Sequence, residues 1–413
     1  MPPPASDPRS VAREFELTRA PAAFLDDPYP FYAALREHDP VHAMQGTVLL
    51  TRYDDAIAVY RDARASSDKK VEFKPKFGDS PLYEHHTTSL VFNDPPLHTR
   101  VRRIIMGALN QKAIARMEAD VERLVDGLLD RMADAGRMNF IDAFAAQIPV
   151  EVIGNLLDMP KADRGPLRDW SIAILSGLEP APTPEMLERG NRAVTEFLAY
   201  LKTLVAARRA RPGDYETDVL TRLIQGEQDG ERLTETELYH QCIFMLNAGH
   251  ETTTNLLGNG LWLLLRHPGE MARLAADPGL VPSAVEEMLR YEGPIQINNR
   301  RLTAPMEIGG KTLPAGTSIT LAIGAANHDP AQFPDPGRFD VGRKPNRHLA
   351  FGQGDHACSG MNVARMEGRV AFSRLLARFP AIEADGAPER DRRIRFRGFR
   401  KLPIRIQTGR QRA

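Results

Sequence analysis

Phe351-Gly352-Gln353-Gly354-Asp355-His356-Ala357-Cys358-Ser359-Gly360, followed by a helix-like run from Met361 to Ala377, is the stretch on which the sequence turns. Cys358, one of two cysteines, stands among three glycines just ahead of a helix start. Gly352, Gly354 and Ala357 fit a degenerate dinucleotide fingerprint, but no βαβ unit surrounds them. One His and one Cys are too few for a zinc site, and no local signature marks a Cys nucleophile with a distant His. Two readings stay open from the residues alone. One is a buried structural cysteine, the ordinary fate of a lone thiol. The other is a metal thiolate, because glycines let the backbone turn tightly near the sulfur and the start of the next helix favours the ionised form.

Composition narrows the setting. The chain has 413 residues, 42% hydrophobic and 26% charged, as in an ordinary globular protein. Lys plus Arg (54) balances Asp plus Glu (54), which argues against a nucleic-acid binder or a polybasic membrane anchor. Two cysteines, Cys242 and Cys358, exclude a disulfide scaffold. The start, Met1 to Pro8, lacks a signal peptide's apolar stretch. The most apolar run, Leu256 to Leu265, is interrupted by Gly258, Asn259 and Gly260 and is too short to span a bilayer. A cytoplasmic protein is expected. No repeat or convincing linker divides the chain, so residues 1–413 read as one domain with helix-rich and smaller β-rich lobes, its first ten residues mobile.

Helical signals dominate. Val121, Leu124, Val125, Leu128, Leu129 and Met132 form one apolar stripe within Met117 to Ala135, with Gly136 placed as the stop. Thr234-Glu235-Thr236-Glu237 has capping-box spacing and opens a helix to about Arg266, ended by His267-Pro268-Gly269. Pro282 to Tyr291 is another, stopped by Gly293-Pro294. Strands are predicted at Thr47 to Thr51 and Thr317 to Ile323, with a hairpin of Glu307-Ile308, Gly309-Gly310 and Lys311 to Leu313. The fold class is mainly α with a small β portion.

A thiolate with no second protein ligand suits the single axial bond of a haem iron. The segment Phe351 to Gly360 resembles, at every fixed position, the F-x-x-G-x-H-x-C-x-G haem-ligand loop of the cytochrome P-450 monooxygenases. That resemblance makes Cys358 the axial iron ligand and brings His356 to a haem propionate. Ala248-Gly249-His250-Glu251-Thr252-Thr253, within the long helix, is similar to the family's oxygen-binding kink, with Glu251 and Thr252 as its acid and alcohol. A zincin is excluded there, since Thr254 stands where a second His is needed. Gly249 would allow close approach of a flat ligand, and threonine hydroxyls bonding back to i−4 carbonyls can bend a helix. Glu287-x-x-Arg290 places two charges on one helix face and resembles the family's core pair, with Arg338 as third member and Arg343 as the alternative. Asp94 to Arg103 reads as a proline turn opening a basic helix; by resemblance its His98 and Arg102 meet the propionates. Arg300, or its neighbour Arg301, takes the place of another propionate-binding Arg, whose fork matches a carboxylate.

The resemblance spans residues 25 to 405 in consistent motif order. It implies a cytochrome P-450 fold with haem b (iron protoporphyrin IX) sandwiched between the long oxygen-binding helix and the cysteine-ligand loop and helix. Ala248, Gly249, Phe351 and Gly360 would then border the haem. It also implies a monooxygenase that uses O2 and takes electrons from NAD(P)H through a separate ferredoxin and reductase, the chain acting as a monomer. Arg102, Arg103 and Arg365 are the candidates for a basic docking patch. The pocket is expected from Phe73, Phe77, Val91, Leu246, Asn247, Ile295, Ile297 and Phe396, apolar with occasional polar groups, and Gln296 and Asn298 as readers of a polar substituent. The expected substrate is a small or mid-sized, mainly apolar organic compound, hydroxylated or oxidatively demethylated. Against a haem-thiolate sensor or a peroxide-driven peroxygenase stands the intact Glu251-Thr252 pair; a Cys hydrolase would be colourless.

Overall fold

A computed structural model describes residues 7–228, 230–379 and 381–406. Of the first ten residues, 1–6 lie outside that description, and 8–10 open the helix Pro8–Glu14, capped by the Asp7 side chain.

Six helices position the chemistry: α1 (Pro81–Thr88), α2 (Leu97–Ala108), α3 (Gln111–Ala135), α4 (Glu235–Arg266), α5 (Val281–Tyr291) and α6 (Met361–Arg378). In α2, α3 and α5 an apolar stripe faces the core. In α3 the Asn110 side chain accepts from the Ala113 N–H, and Gly136 closes the helix at φ 67°. Its stripe is buried at Val121, Val125, Leu128, Leu129 and Met132, and half-buried at Leu124. Acidic residues of α3 meet arginines of α6: Arg369 to Glu118 (2.7 Å), Arg374 to Asp126 (2.6 Å), Arg378 to Asp130 (3.1 Å). Both arms of the capping box of α4 are made: Thr234 N–H donates to Glu237 (2.8 Å), and Glu237 N–H to Thr234 Oγ1 (3.2 Å).

The chain divides into two compact units. One comprises residues 1–67, 255–358 and 386–402. It holds a five-stranded sheet of β1 (Val41–Met44), β2 (Thr47–Leu50), β3 (Ala65–Ser66), β4 (Ile297–Leu302) and β5 (Ser318–Ala322), ordered β1-β2-β5-β4-β3. β5 runs parallel to β2 and antiparallel to β4. The expected hairpin spans Met306–Ile308 and Lys311–Leu313, turning on Gly309 and Gly310 at φ 53° and 78°, which glycine alone adopts without strain. Val41, Leu50, Tyr60, Leu302, Ile319, Leu321, Phe333 and Leu349 form one core cluster of this unit. The other unit comprises residues 68–254, 359–385 and 403–413. It holds α1, α2, α3, α6 and α4 as far as Thr254, with a sheet of Ile382–Ala384, Pro403–Ile406 and Arg137–Asn139.

The charge network around α5 corrects the expectation for its third member. Glu287 and Arg290 are fully buried and bonded twice, both at 2.7 Å. The second guanidinium on Glu287 is that of Arg343, 3.1 Å away; Arg338 offers only its backbone carbonyl, to Arg290 and Arg343. A turn between Arg338 and Arg343 delivers the later side chain inward, and Asp340 N–H joins the same carboxylate. Removing one partner of a buried pair strands the other charge. Arg343→Ala leaves Glu287 paired with Arg290 but removes a charged hydrogen bond, and is expected to lower stability by about 1.5–3 kcal/mol in urea unfolding, with Arg338→Ala lowering it by under about 0.5 kcal/mol. Equal losses would return Arg338 to the network.

Candidate active site

The cysteine loop is built by glycine geometry. Gly352 and Gly354 sit at φ 65° and 70°, and a Cβ on Gly354 would lie 2.5 Å from the Tyr60 carbonyl oxygen. A tight turn covers Gly354–His356, and the Cys358 N–H returns to the Phe351 carbonyl at 2.8 Å, fixing the backbone at the sulfur-bearing residue. Cys358 and His356 are half-buried. The second cysteine, Cys242, is sealed inside α4, where burial pushes its thiol up to about 12. It is a core filler.

In the same unit, Arg300 on β4 is buried and lies 5.3 Å from the Tyr60 ring centroid, so it shares a neighbour with the loop. Strand alternation sends Arg301 to the opposite face, beside the Gly316 turn. Arg300 is thus the geometrically suitable member of the pair.

In the other unit, α2 brings His98, buried, and Arg102, whose Nη1 donates to Ser359 Oγ at 2.9 Å, one residue from Cys358 in the chain. Arg103 is exposed and Arg365 half-buried. On α4 the three threonines do different work. Thr252 Oγ1 donates back to the Ala248 carbonyl (2.7 Å) and Thr254 Oγ1 to that of His250 (2.9 Å), while Thr253 Oγ1 donates to Glu367 of α6 (3.2 Å). Glu251 is buried. Gly249 differs from expectation: a Cβ there would lie 2.8 Å from Ile153 Cδ1, so the missing side chain admits a neighbouring helix.

Glu367 escaped the sequence reading, although a carboxylate on the apolar face of α6 is a visible irregularity. Burial raises its pKa to about 8, opposed by the Thr253 hydrogen bond, so it is protonated at neutral pH.

The expected pocket residues separate. Phe73 pairs edge-on with Phe77 and Phe92, each at 5.1 Å, and Val91 is half-buried. Asn247 is bonded to His85 at 3.1 Å. Ile295 is half-buried and bridges to Phe396. Leu246 has no exposure, and Ile297 packs among Phe15, Phe24, Tyr32 and Leu49 as an ordinary core side chain. The side chains of Gln296 and Asn298 are engaged, with Gly293 O (2.9 Å) and Tyr60 Oη (3.3 Å).

A single half-buried cysteine on a glycine-shaped turn is a donor that suits a haem. Among the described residues no cluster of His, Cys, Asp or Glu is arranged to hold a bare metal ion, whereas a porphyrin brings its own equatorial ligands and requires one axial bond. The 32-residue α4 is buried over most of its middle, yet the stripe Phe244, Ala248 and Thr252 is left half-covered or open by protein. That uncovered stripe ends on Thr252, the residue after Glu251.

A family model described as cytochrome P-450 matches residues 176–277 and 279–408. The 6-deoxyerythronolide B hydroxylase of Saccharopolyspora erythraea is 38% identical over 401 residues, covering 93% of this chain and 97% of its own. The monooxygenase PikC of Streptomyces venezuelae is 36% identical, covering 94% and 93%. Among solved structures, CalO2 superposes with a TM-score of 0.89 at 31% identity, covering 96% of this chain and all of its own. The BioI cytochrome P-450, in complex with an acyl carrier protein bearing hexadec-9Z-enoic acid, gives 0.88 at 32%, covering 94% and 100%. The chain belongs to the cytochrome P-450 family and has its fold. It is a haem monooxygenase acting on organic compounds. No helix among the described residues is long and apolar enough to cross a membrane.

Glu367 supplies a pH prediction. Its folded pKa, about 8, lies above the ordinary 4.5, so its contribution to stability is complete below about pH 4.5 and is lost as pH rises toward 8. Relative to Glu367→Gln, the parent should lose on the order of a few kcal/mol between pH 5 and 8. Parallel urea-unfolding profiles for the two proteins would place Glu367 in a solvated site instead.

Proposed function

We propose that this monooxygenase holds haem b through the Cys358 thiolate and inserts one oxygen atom from O2 into a small or mid-sized, mainly apolar substrate, by hydroxylation or oxidative demethylation. Electrons come from NAD(P)H through a separate ferredoxin and its reductase. The observation that carries the reading is the contrast between the two cysteines: Cys358 half-buried on a glycine-shaped turn, Cys242 sealed in a helix. When bound, the haem supplies the electron-transfer and oxygen-activating chemistry.

The chain's residues then divide the remaining tasks. Cys358 holds the iron and gives it electron density. His98, Arg102, Arg300 and His356 neutralise the propionates; Arg102 beside Ser359 and Arg300 beside Tyr60 support this. With haem bound, Ala248, Phe351 and Gly360 would border it, while Gly249 makes room for Ile153. Glu251 would then serve as the proton source and Thr252 as the relay, its hydroxyl now bonded to the Ala248 carbonyl. Glu287, Arg290 and Arg343 brace the approach to the cysteine loop. Phe73, Phe77, Val91, Asn247, Ile295 and Phe396 remain candidates for the substrate wall. Relatives named as 6-deoxyerythronolide B hydroxylase and vitamin D(3) 25-hydroxylase support hydroxylation as the reaction.

A spectral titration of the purified protein with small aromatics, acids and terpenes tests haem and substrate class together. Colourless protein, or a reduced carbonyl complex whose thiolate absorption survives Cys358→Ser, would sink the assignment. Thr252→Ala should keep substrate binding while product per NAD(P)H falls about tenfold or more and peroxide rises in step. Equal product yield in mutant and parent would remove Thr252 from proton delivery.

A further inference from the structure

We propose that His85, His240 and Asn247 form a receptor for a neutral oxygen substituent, a hydroxyl or a ketone, on an otherwise apolar substrate. This deepens the monooxygenase reading and rests on it.

The three side chains are buried and linked: His85 Nε2 lies 3.1 Å from Asn247 Nδ2, and the rings of His85 and His240 are 5.6 Å apart. His240 and Asn247 are seven residues apart on α4 and so share a face. Glu251, four residues beyond Asn247, continues that face, and the open Ala248 adjoins it. The cluster therefore stands one helical turn from the proposed acid.

Its hydrogen bonding is incomplete. Among the described residues, His85 Nδ1, His240 Nδ1 and Asn247 Oδ1 are buried without a partner. The Asn247 amide, donating to His85 Nε2, leaves the neutral imidazole with its proton on Nδ1. That Nδ1–H lacks an acceptor and Asn247 Oδ1 lacks a donor. A hydroxyl can answer either one; a ketone answers the first. Leaving such groups unpaired costs about 1–3 kcal/mol each, and no structural bond in the fold uses them. The cost is recovered if a ligand oxygen, admitted by rotation of the Asn247 amide, pairs with them.

The chemistry selects a neutral group. Burial lowers His240 to about 4 and His85 well below its ordinary value, with His86 and His240 adding to the effect at His85. Phe73, Phe77 and Phe92 pack on the adjacent His86, so the surroundings are apolar. A carboxylate would need a charged imidazole where charge is disfavoured. Glu84 lies 3.9 Å from His240 Nε2 and is exposed. An ordered water could satisfy the same atoms, and binding measurements separate the two occupants.

Equilibrium dialysis of the haem-loaded protein against matched trios provides the test: adamantanol, adamantane and adamantane carboxylate, then the corresponding decyl and androstane compounds. The alcohol should bind about tenfold or more tighter than the hydrocarbon and the acid on at least one skeleton. That preference should fall below about threefold in His85→Phe and, separately, in Asn247→Leu, with thermal melts confirming that both fold. Equal binding of alcohol and hydrocarbon, as a resident water predicts, would overturn the proposal. So would preference for the carboxylate, no binding on any skeleton, or a preference that survives either folded variant. The parent comparison needs no variant, and haem absorption before dialysis reports separately on the monooxygenase reading.

Discussion

A single buried carboxylate organises the approach to the cysteine. Glu287 has no solvent exposure, so its charge must be met by protein. Its oxygens accept from Arg290, Arg343, Asn346 and the Asp340 N–H, drawing the irregular segment after Phe333 onto α5. Arg290 reaches on to the carbonyls of Asn327 and Pro336. Asn327 then accepts from Leu349 N–H at 2.7 Å, two residues before the loop begins. A long segment with little regular structure is thus held by ionic hydrogen bonds, and the glycine turn can present Cys358 in a fixed backbone conformation.

The long helix obeys a related constraint. A helix buried over most of its length would ordinarily be apolar all round, yet α4 carries His240, Asn247, His250, Glu251, three threonines and Asn259. Several have visible structural work: Thr253 ties α6, and Asn259 donates to the carbonyls of Glu292 and Arg397. Thr252 is held only by its own helix, through a bond that is easily exchanged, which suits a hydroxyl that must act. His240, Asn247, His250 and Asn255 each keep a buried polar atom without a partner among the described residues.

Much of this was legible before the structure. The stripe of α3, the capping box of α4 and the Gly309-Gly310 hairpin follow from local periodicity and turn chemistry, and all three form as the residues suggest. The motif at Cys358 resembles its family at every fixed position, so the family could be read from ten residues. Other features depend on partners distant in the chain. Choosing Arg343 over Arg338 requires the path of the turn between them. The reason for Gly249 is Ile153, nearly a hundred residues earlier, and Ile297 is core because Phe15 and Phe24 come to meet it. Glu367 is set apart from the other charges of α6 by its burial, which depends on segments packed around it.

The sequence by itself determined the helices, the turns and the family, because these rest on neighbours a few residues apart or on a short motif with fixed spacing. Only the tertiary structure decided which charges are neutralised, which glycines admit a neighbour, and which histidines share a cluster with an unpaired amide. Those outcomes depend on burial, and burial is created by segments that meet in space after the chain has folded.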